Sequence, residues 1–301
     1  MIEAATANQV VTVHAPAKVN LTLRVLGTRA DGFHELESVV AAVDLADRLS
    51  LALAQDLRLS CAGIAVPPGD DNLVLKAARL LRAECGVVQG AAIRLEKRIP
   101  PGRGLGGGSS DAAAALVGLN ALWACGLSAA DLARLGARIG SDVPLFFGSP
   151  VSVLRGRGEH IESTDARLPW WVTLAWPDYG NPTVDVYREY DRAPVTDGGR
   201  AAATAILDRL AAPAREVAPL LVNDLEAAAR RTRPDGLNLR TLLEQAAAPA
   251  VTMTGSGSAY MALSDTETEA RRLADAARAA GVEAVVVRTW ETGNPRKETP
   301  Q

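Results

Sequence analysis

Apolar and polar positions alternate through the first part of the chain and fall into helical spacing further on. Residues 10–13 are β-branched and alternate weakly, and residues 19–25 (VNLTLRV) alternate cleanly, so both predict strands. Asp31-Gly32 supplies turn chemistry before two more predicted strands, 38–43 and 48–53, and a short one at 57–61. Over residues 72–84, Leu73, Ala77, Leu80 and Leu81 share one helical face. A strand is predicted at 91–96, a Pro-Gly-rich loop at 100–110, an Ala-rich helix at 111–123 and another helix at 128–139. This last has Ser128 as its N-cap and Asp131 three residues on.

Beyond a Gly-Ser-Asp turn at 140–142, strand-like segments follow at 145–147 and 151–154, and a stronger strand at 170–175 (WWVTLA). The stretch 191–200 reads as a loop, and helices are predicted at 202–211 and 238–247. A short strand at 251–254 runs into a Gly-Ser-Gly turn, after which 259–263 is apolar again. A helix at 266–280 and a strand at 283–290 close the pattern. Grouped strands, then helices, then both again make the fold class α+β rather than a strict βαβ alternation. The polar, turn-rich stretch 155–169 divides the chain into two domains, 1–160 and 161–290. The polar tail 291–301 is expected to be disordered.

Composition narrows the function. The chain has 301 residues, 48% of them apolar, and a net charge of −3, with neither a basic balance nor a basic stripe, so no nucleic-acid partner is expected. No apolar run reaches the roughly 18 residues that span a bilayer, and the N-terminus lacks a signal-peptide pattern, so no membrane partner and a cytoplasmic location are expected. The three cysteines, Cys61, Cys85 and Cys125, have no paired spacing and read as free thiols.

The sharpest local chemistry is the run Pro100, Pro101, Gly102, Arg103, Gly104, Leu105, Gly106, Gly107, Gly108, Ser109, Ser110, placed after a strand and opening a helix. Glycines let backbone approach an anion closely, and a helix start offers unpaired N–H groups and partial positive charge, so this is the logic of a phosphate cradle. Arg103 could add charge, and Ser109 or Ser110 a hydroxyl. A P-loop needs Lys followed by Ser or Thr, and no Lys lies between Arg98 and Ser110. Gly102, Gly104 and Gly107 fit G-x-G-x-x-G, but the helix that follows has no second strand ending in an acid. A plain flexible loop stays open on this run alone.

Three separated segments, HAPAKVNLTL (14–23), IPPGRGLGGGSSDAA (99–113) and MTGSGSA (253–259), together resemble the three motifs of the GHMP kinase superfamily, over residues 10 to 290. RADGFHEL (29–36), GSDVPLF (140–146) and NDLE (223–226) resemble, within it, the branch that phosphorylates 4-diphosphocytidyl-2-C-methyl-D-erythritol in the non-mevalonate isoprenoid pathway. The resemblance implies a two-domain fold: a ribosomal-protein-S5-like N-terminal domain that binds ATP, and a ferredoxin-like C-terminal domain, with the active site between them.

The same resemblance implies roles. Asp142 is the candidate base and Lys18 its cationic partner, which would keep the carboxylate ionised and stabilise the transferring phosphoryl. Asn20, on the same strand face as Lys18, would bond substrate. His34 would contact cytosine while Phe33 and Tyr187 stack on it, with Phe33 standing where tyrosine is more usual. Thr183 would touch substrate, and Gly255, Ser256 and Gly257 would shape the phosphate site. Mg²⁺ should accompany ATP, with Ser110 as its protein contact. Asp224 is expected to cap a helix, and the enzyme to be a monomer or weak homodimer. Two alternatives stand beside this reading. One is another superfamily kinase acting on mevalonate, homoserine or a sugar, against which the Asp-Gly-Phe-His segment argues. The other is a catalytically silent nucleotide-binding protein, against which Lys18 and Asp142 argue.

Overall fold

The computed structural model describes residues 10–195 and 202–290. The expectation of a disordered tail at 291–301, and much of the loop expected at 191–200, therefore lie outside the described residues. The strands predicted at 10–13 and 19–25 are one long strand, β1 (Val10–Thr28), which carries Pro16 at a shift of register between Pro16 and Ala17. Proline offers no ladder donor, and a bulge is where a strand tolerates it. Likewise β2 (His34–Ala54) joins the strands predicted at 38–43 and 48–53 and pairs antiparallel with β1. β3 (Arg58–Gly63), helix α1 (Leu73–Glu84) and β4 (Gly90–Lys97) follow.

Helix α2 (Gly107–Leu122) begins before the predicted residue 111, so the end of the glycine run is its first turn. Helix α3 (Ala129–Ala137) has the expected reciprocal cap, in which Asp131 N–H donates to Ser128 Oγ (3.2 Å) and Ser128 N–H to Asp131 Oδ2 (3.0 Å). Residues Pro144–Phe147 form a 3₁₀ turn where a strand was predicted, since Pro144 fixes φ at a turn-forming value and lacks a donor. Then come β5 (Val151–Gly156) and β6 (His160–Ser163). The first sheet runs β3-β4-β2-β1, with β5 on the other half of β2 and β6 beyond it. The predicted boundary at residue 160 thus falls at the start of β6, which still belongs to this sheet, because its exposed polar residues read as linker.

The chain then enters β7 (Trp171–Trp176) and helix α4 (Thr183–Arg192). A 3₁₀ stretch, Ala203–Arg209, replaces the helix predicted at 202–211. After a one-turn helix α5 (Ala214–Val217), strand β8 (Val222–Asn223) returns to the first sheet, parallel to β1. Helices α6 (Glu226–Thr232) and α7 (Leu239–Gln245), strands β9 (Ala250–Met253) and β10 (Tyr260–Ser264), helix α8 (Glu267–Ala279) and β11 (Glu283–Val287) complete the chain. The second sheet is antiparallel in the order β11-β7-β10-β9, which with its helices is the split βαβ arrangement of a ferredoxin-like unit.

One core lies between the first sheet and α1–α3, where Ala112, Ala113, Ala114, Ala115 and Leu116 are fully buried. These small side chains let α2 pack close to the sheet. A second core, around Trp170, Leu21 and Leu174, fills the space between the sheets. The final residues lock the two units: Trp290 N–H donates to Ala42 O (2.8 Å) and Asp44 N–H to Arg288 O (3.0 Å). Among the described residues no helix is long and apolar enough to cross a membrane.

Candidate active site

A cleft of about 520 Å³ lies between the two units, lined by the loop from Pro100 to Ser109, by Lys18, Asn20 and Asp142, and by Thr183, Tyr187, Gly255 and Ser256. Chain order does not predict this convergence; specific hydrogen bonds produce it. Lys18 N–H donates to Leu105 O (3.0 Å), which lays the glycine-rich loop against β1. Ala259 N–H donates to Arg103 O (3.2 Å), which ties the same loop to the second sheet.

Two glycines of the loop are sterically required. Gly104 has φ +77°, and a Cβ there would lie 2.2 Å from Thr254 O; Gly106 has φ +69°, and a Cβ would meet Lys18 Cγ at 2.9 Å. Gly106 is also the N-cap of α2 and offers no side-chain cap. The first N–H groups of a long helix therefore open onto the cleft beside Lys18, which is an anion-binding arrangement.

Lys18 is 6% exposed, and its Nζ donates to Asn20 Oδ1 (2.7 Å). Burial pulls its pKa below the ordinary lysine value, and the negative charge of Asp142 partly offsets this. Asn20 Oδ1 also accepts from Gly255 N–H (3.0 Å), and its Nδ2 donates to Ser38 Oγ (2.9 Å). The Asn20 amide is thus largely committed to orienting Lys18 and the turn at 255–258, a more internal role than the substrate contact expected of it. Asp142 is half-buried in the turn before Pro144, and the backbone at Gly158 faces its carboxylate.

Several expected roles change. Arg103 is turned to backbone carbonyls, donating to Pro177 O (3.1 Å), Asp178 O (2.7 Å) and Pro101 O (3.1 Å), so it staples the loop rather than presenting a free charge. Ser109 lines the cleft, whereas Ser110, the expected metal contact, is fully buried with an unpartnered hydroxyl and does not line it. The early helix start is the reason, since it places Ser110 within the buried first turn of α2 rather than on the loop. Gly255 and Ser256 line the cleft, and Ser256 Oγ lies 2.9 Å from Thr183 Oγ1; Gly257 faces away, toward Met253 and Asn181. Asp224 is not the N-cap of α6, which is Leu225; its Oδ2 accepts from Val25 N–H (3.0 Å) on β1.

At the mouth, His34 and Tyr187 are stacked on each other, with centroids 4.7 Å apart, and His34 Nε2 lies 2.7 Å from Asp191 Oδ1. The expected sandwich of a base between Phe33 and Tyr187 is not the arrangement seen, because the imidazole itself covers the Tyr187 ring. Phe33 is 52% exposed, with the Arg157 guanidinium 5.0 Å above its ring. Burial, then the nearby Asp142, raise the Tyr187 pKa, so the aromatic mouth and the carboxylate share one electrostatic environment.

Behind the loop lies a buried ionic cluster that sequence reasoning missed. Lys97 Nζ bonds to Asp47 and to Asp111 Oδ2 (2.7 Å), and Asp47 Oδ1 accepts from the N–H groups of Arg98 (2.5 Å) and Ile99 (2.9 Å). It clamps both ends of the loop, β4 and α2, onto β2. Burial pushes the Asp111 carboxyl up to about 8, against the pull of Lys97.

No group of three or more His, Cys, Asp or Glu that could hold a metal ion occurs among the described residues. Mg²⁺ is commonly held by one or two carboxylates together with substrate phosphates, and Asp142 with the Ser109 hydroxyl fits that modest donor set.

Comparison with known proteins places this geometry. Residues 72–149 match the family model "GHMP kinases N terminal domain" and residues 203–283 match "GHMP kinases C terminal". The 4-diphosphocytidyl-2-C-methyl-D-erythritol kinase of Pelotomaculum thermopropionicum is 40% identical over 95% of this chain and 99% of its own length. That of Brevibacillus brevis is 40% identical over 92% and 96%. A crystal structure of 4-(cytidine 5'-diphospho)-2C-methyl-D-erythritol kinase superposes with a TM-score of 0.75 at 37% identity, covering 93% of this chain and 100% of the other. The homoserine kinase of Cytophaga hutchinsonii, at 18% identity and a TM-score of 0.75 over 99% of both chains, shares the fold.

Proposed function

The chain belongs to the GHMP kinase family, and from that premise we propose that it transfers the γ-phosphoryl of ATP to the 2-hydroxyl of 4-diphosphocytidyl-2-C-methyl-D-erythritol. The observation that carries the reading is the meeting, in one cleft, of an uncapped helix start, a buried cation and a half-buried carboxylate. The relatives at 40% identity over nearly the whole chain supply the choice of acceptor.

In this reading the N–H groups at the start of α2 hold the phosphates, with Ser109 beside them. Lys18, fixed by the Asn20 amide, faces the oxygens where negative charge grows in the transition state. Asp142 accepts a hydrogen bond from the acceptor hydroxyl, orients its oxygen and takes up its proton as the new bond forms. Phe33, His34 and Tyr187 receive the cytosine end, which places the hydroxyl within reach of Asp142. Thr183 and Ser256, bonded to each other, border the acceptor. The Ser109 hydroxyl and Asp142 would hold Mg²⁺ beside the phosphates, and the ion would supply neutralisation of their charge. The enzyme works in the cytoplasm as a monomer or weak homodimer.

ADP release by the purified protein, with ATP and Mg²⁺, tests the reading when the cytidine compound is offered beside mevalonate, homoserine and galactose. Turnover only with the cytidine compound, abolished in Asp142→Ala, is expected. Turnover with another acceptor would discard the cytosine assignment and keep the kinase.

A further inference from the structure

We propose a second ligand site, for a small phosphorylated metabolite, on the far side of the turn at 255–258. A second cavity of about 670 Å³ opens there between α6, α7 and the segment around Tyr179, within the range of small-molecule sites. Four arginines line it, Arg230, Arg231, Arg233 and Arg240, against one lining carboxylate, Glu226. Two of the four are neutralised: Arg240 by Glu226 through paired 2.6 Å bonds, and Arg231 by Glu189 at 2.7 Å. Arg230 and Arg233 form no ion pair among the described residues, and Arg233 lies over the Tyr179 ring at 5.4 Å. Guanidinium forks match phosphate oxygens in shape and charge, so the excess positive charge selects a phosphate group.

Asn181, 7% exposed, lines both this cavity and the active-site cleft, so the two share a wall. The wall that Asn181 belongs to is also the back of the active-site turn. Asn181 Nδ2 donates to Ser256 O (3.4 Å), Ser258 Oγ to Tyr179 O (2.5 Å), and Asn223 Nδ2 to Gly255 O (2.8 Å). From its other face the same turn donates Gly255 N–H to Asn20, the residue that orients Lys18. An occupant of the second cavity therefore braces or displaces the turn and alters the rate of the kinase, a consequence that rests on the function proposed above; the binding itself does not.

Calorimetric titration with inorganic pyrophosphate as the probe tests the site, with the active-site cleft first saturated by a non-hydrolysable ATP analogue. One further binding event is expected. Each of Arg230→Ala and Arg233→Ala should weaken it by about tenfold, and the double variant R230E/R233E should abolish it, while turnover without pyrophosphate stays at the parental level. No heat beyond that of the cleft, or heat unchanged in the double variant, overturns the proposal. A protein found inactive as a kinase would still show the arginine-dependent heat, so the two readings fail separately.

Discussion

Lys18 and Lys97 flank the glycine-rich loop at nearly equal depth, 6% and 4% exposed, yet their charges meet opposite conditions. At Lys18 burial prevails and the pKa falls, with Asp142 only partly restoring it. At Lys97 burial also opposes the charge, but Asp111 and Asp47 outweigh it and the pKa rises. The difference lies in the first partner. Lys97 touches two carboxylates, whereas Lys18 bonds to the neutral amide of Asn20, which orients the ammonium without cancelling its charge. One lysine is a rivet; the other is a charge held in reserve for an incoming anion.

Asp142→Asn presses hardest on that contrast. It should lower kcat by about 10²–10⁴-fold, with a thermal midpoint close to the parent's, because Asp142 is not part of the rivet. Steady-state kinetics and a melting curve on one preparation decide it, and a large loss of stability would count against a catalytic reading of this carboxylate. Replacing each lysine by methionine sharpens the comparison next. Lys97→Met leaves the buried Asp47 and Asp111 carboxyls without their shared cation and should cost about 3–5 kcal/mol of stability by denaturant titration. Lys18→Met should lose turnover by about 10²–10³-fold with little loss of stability. The reverse pattern would exchange the roles of the two residues.

A gentler probe is pH. The Asp111 carboxyl, raised from 3.8 to about 8, keeps in the folded state a proton that the unfolded chain has already released. Its contribution to stability therefore falls as pH rises between those values. Asp111→Asn should flatten the melting temperature across this window, and an unchanged slope would place the titration elsewhere. Smallest of all, turnover should decline on the alkaline side before the ordinary lysine pKa of 10.5, and earlier still in residual Asp142→Asn activity, since the charge that lifts Lys18 is gone.

Much of this was legible in the chain. Alternation located β1 and β2, and the Ser128–Asp131 spacing located the start of α3, because these signals are local. The separated motifs, with the segment 140–146 that carries Asp142, brought Lys18, Asp142 and the loop to one cleft only through family resemblance. The rivet was not legible: Asp47 sits in the middle of β2 and Lys97 ends β4, each an ordinary charged residue until the sheet forms. Ser110 was misplaced because its orientation depends on where α2 begins, and the glycines before it hide that start. The gap left between the strands predicted at 10–13 and 19–25 is bridged in β1, with a register shift after Pro16. Helix α4 escaped notice because few apolar residues, among them Val186 and Tyr190, mark its inner face.

Strand β8 has a consequence for how the protein is made. Residues Val222 and Asn223 close the free edge of β1 beside Thr22 and Leu23, so the first sheet is finished by a segment that leaves the ribosome long after the strand it covers. At ordinary rates of synthesis that interval is roughly 10–40 s. During it the nascent chain carries an uncovered strand edge, which invites mispairing with neighbours and gives chaperones something to hold.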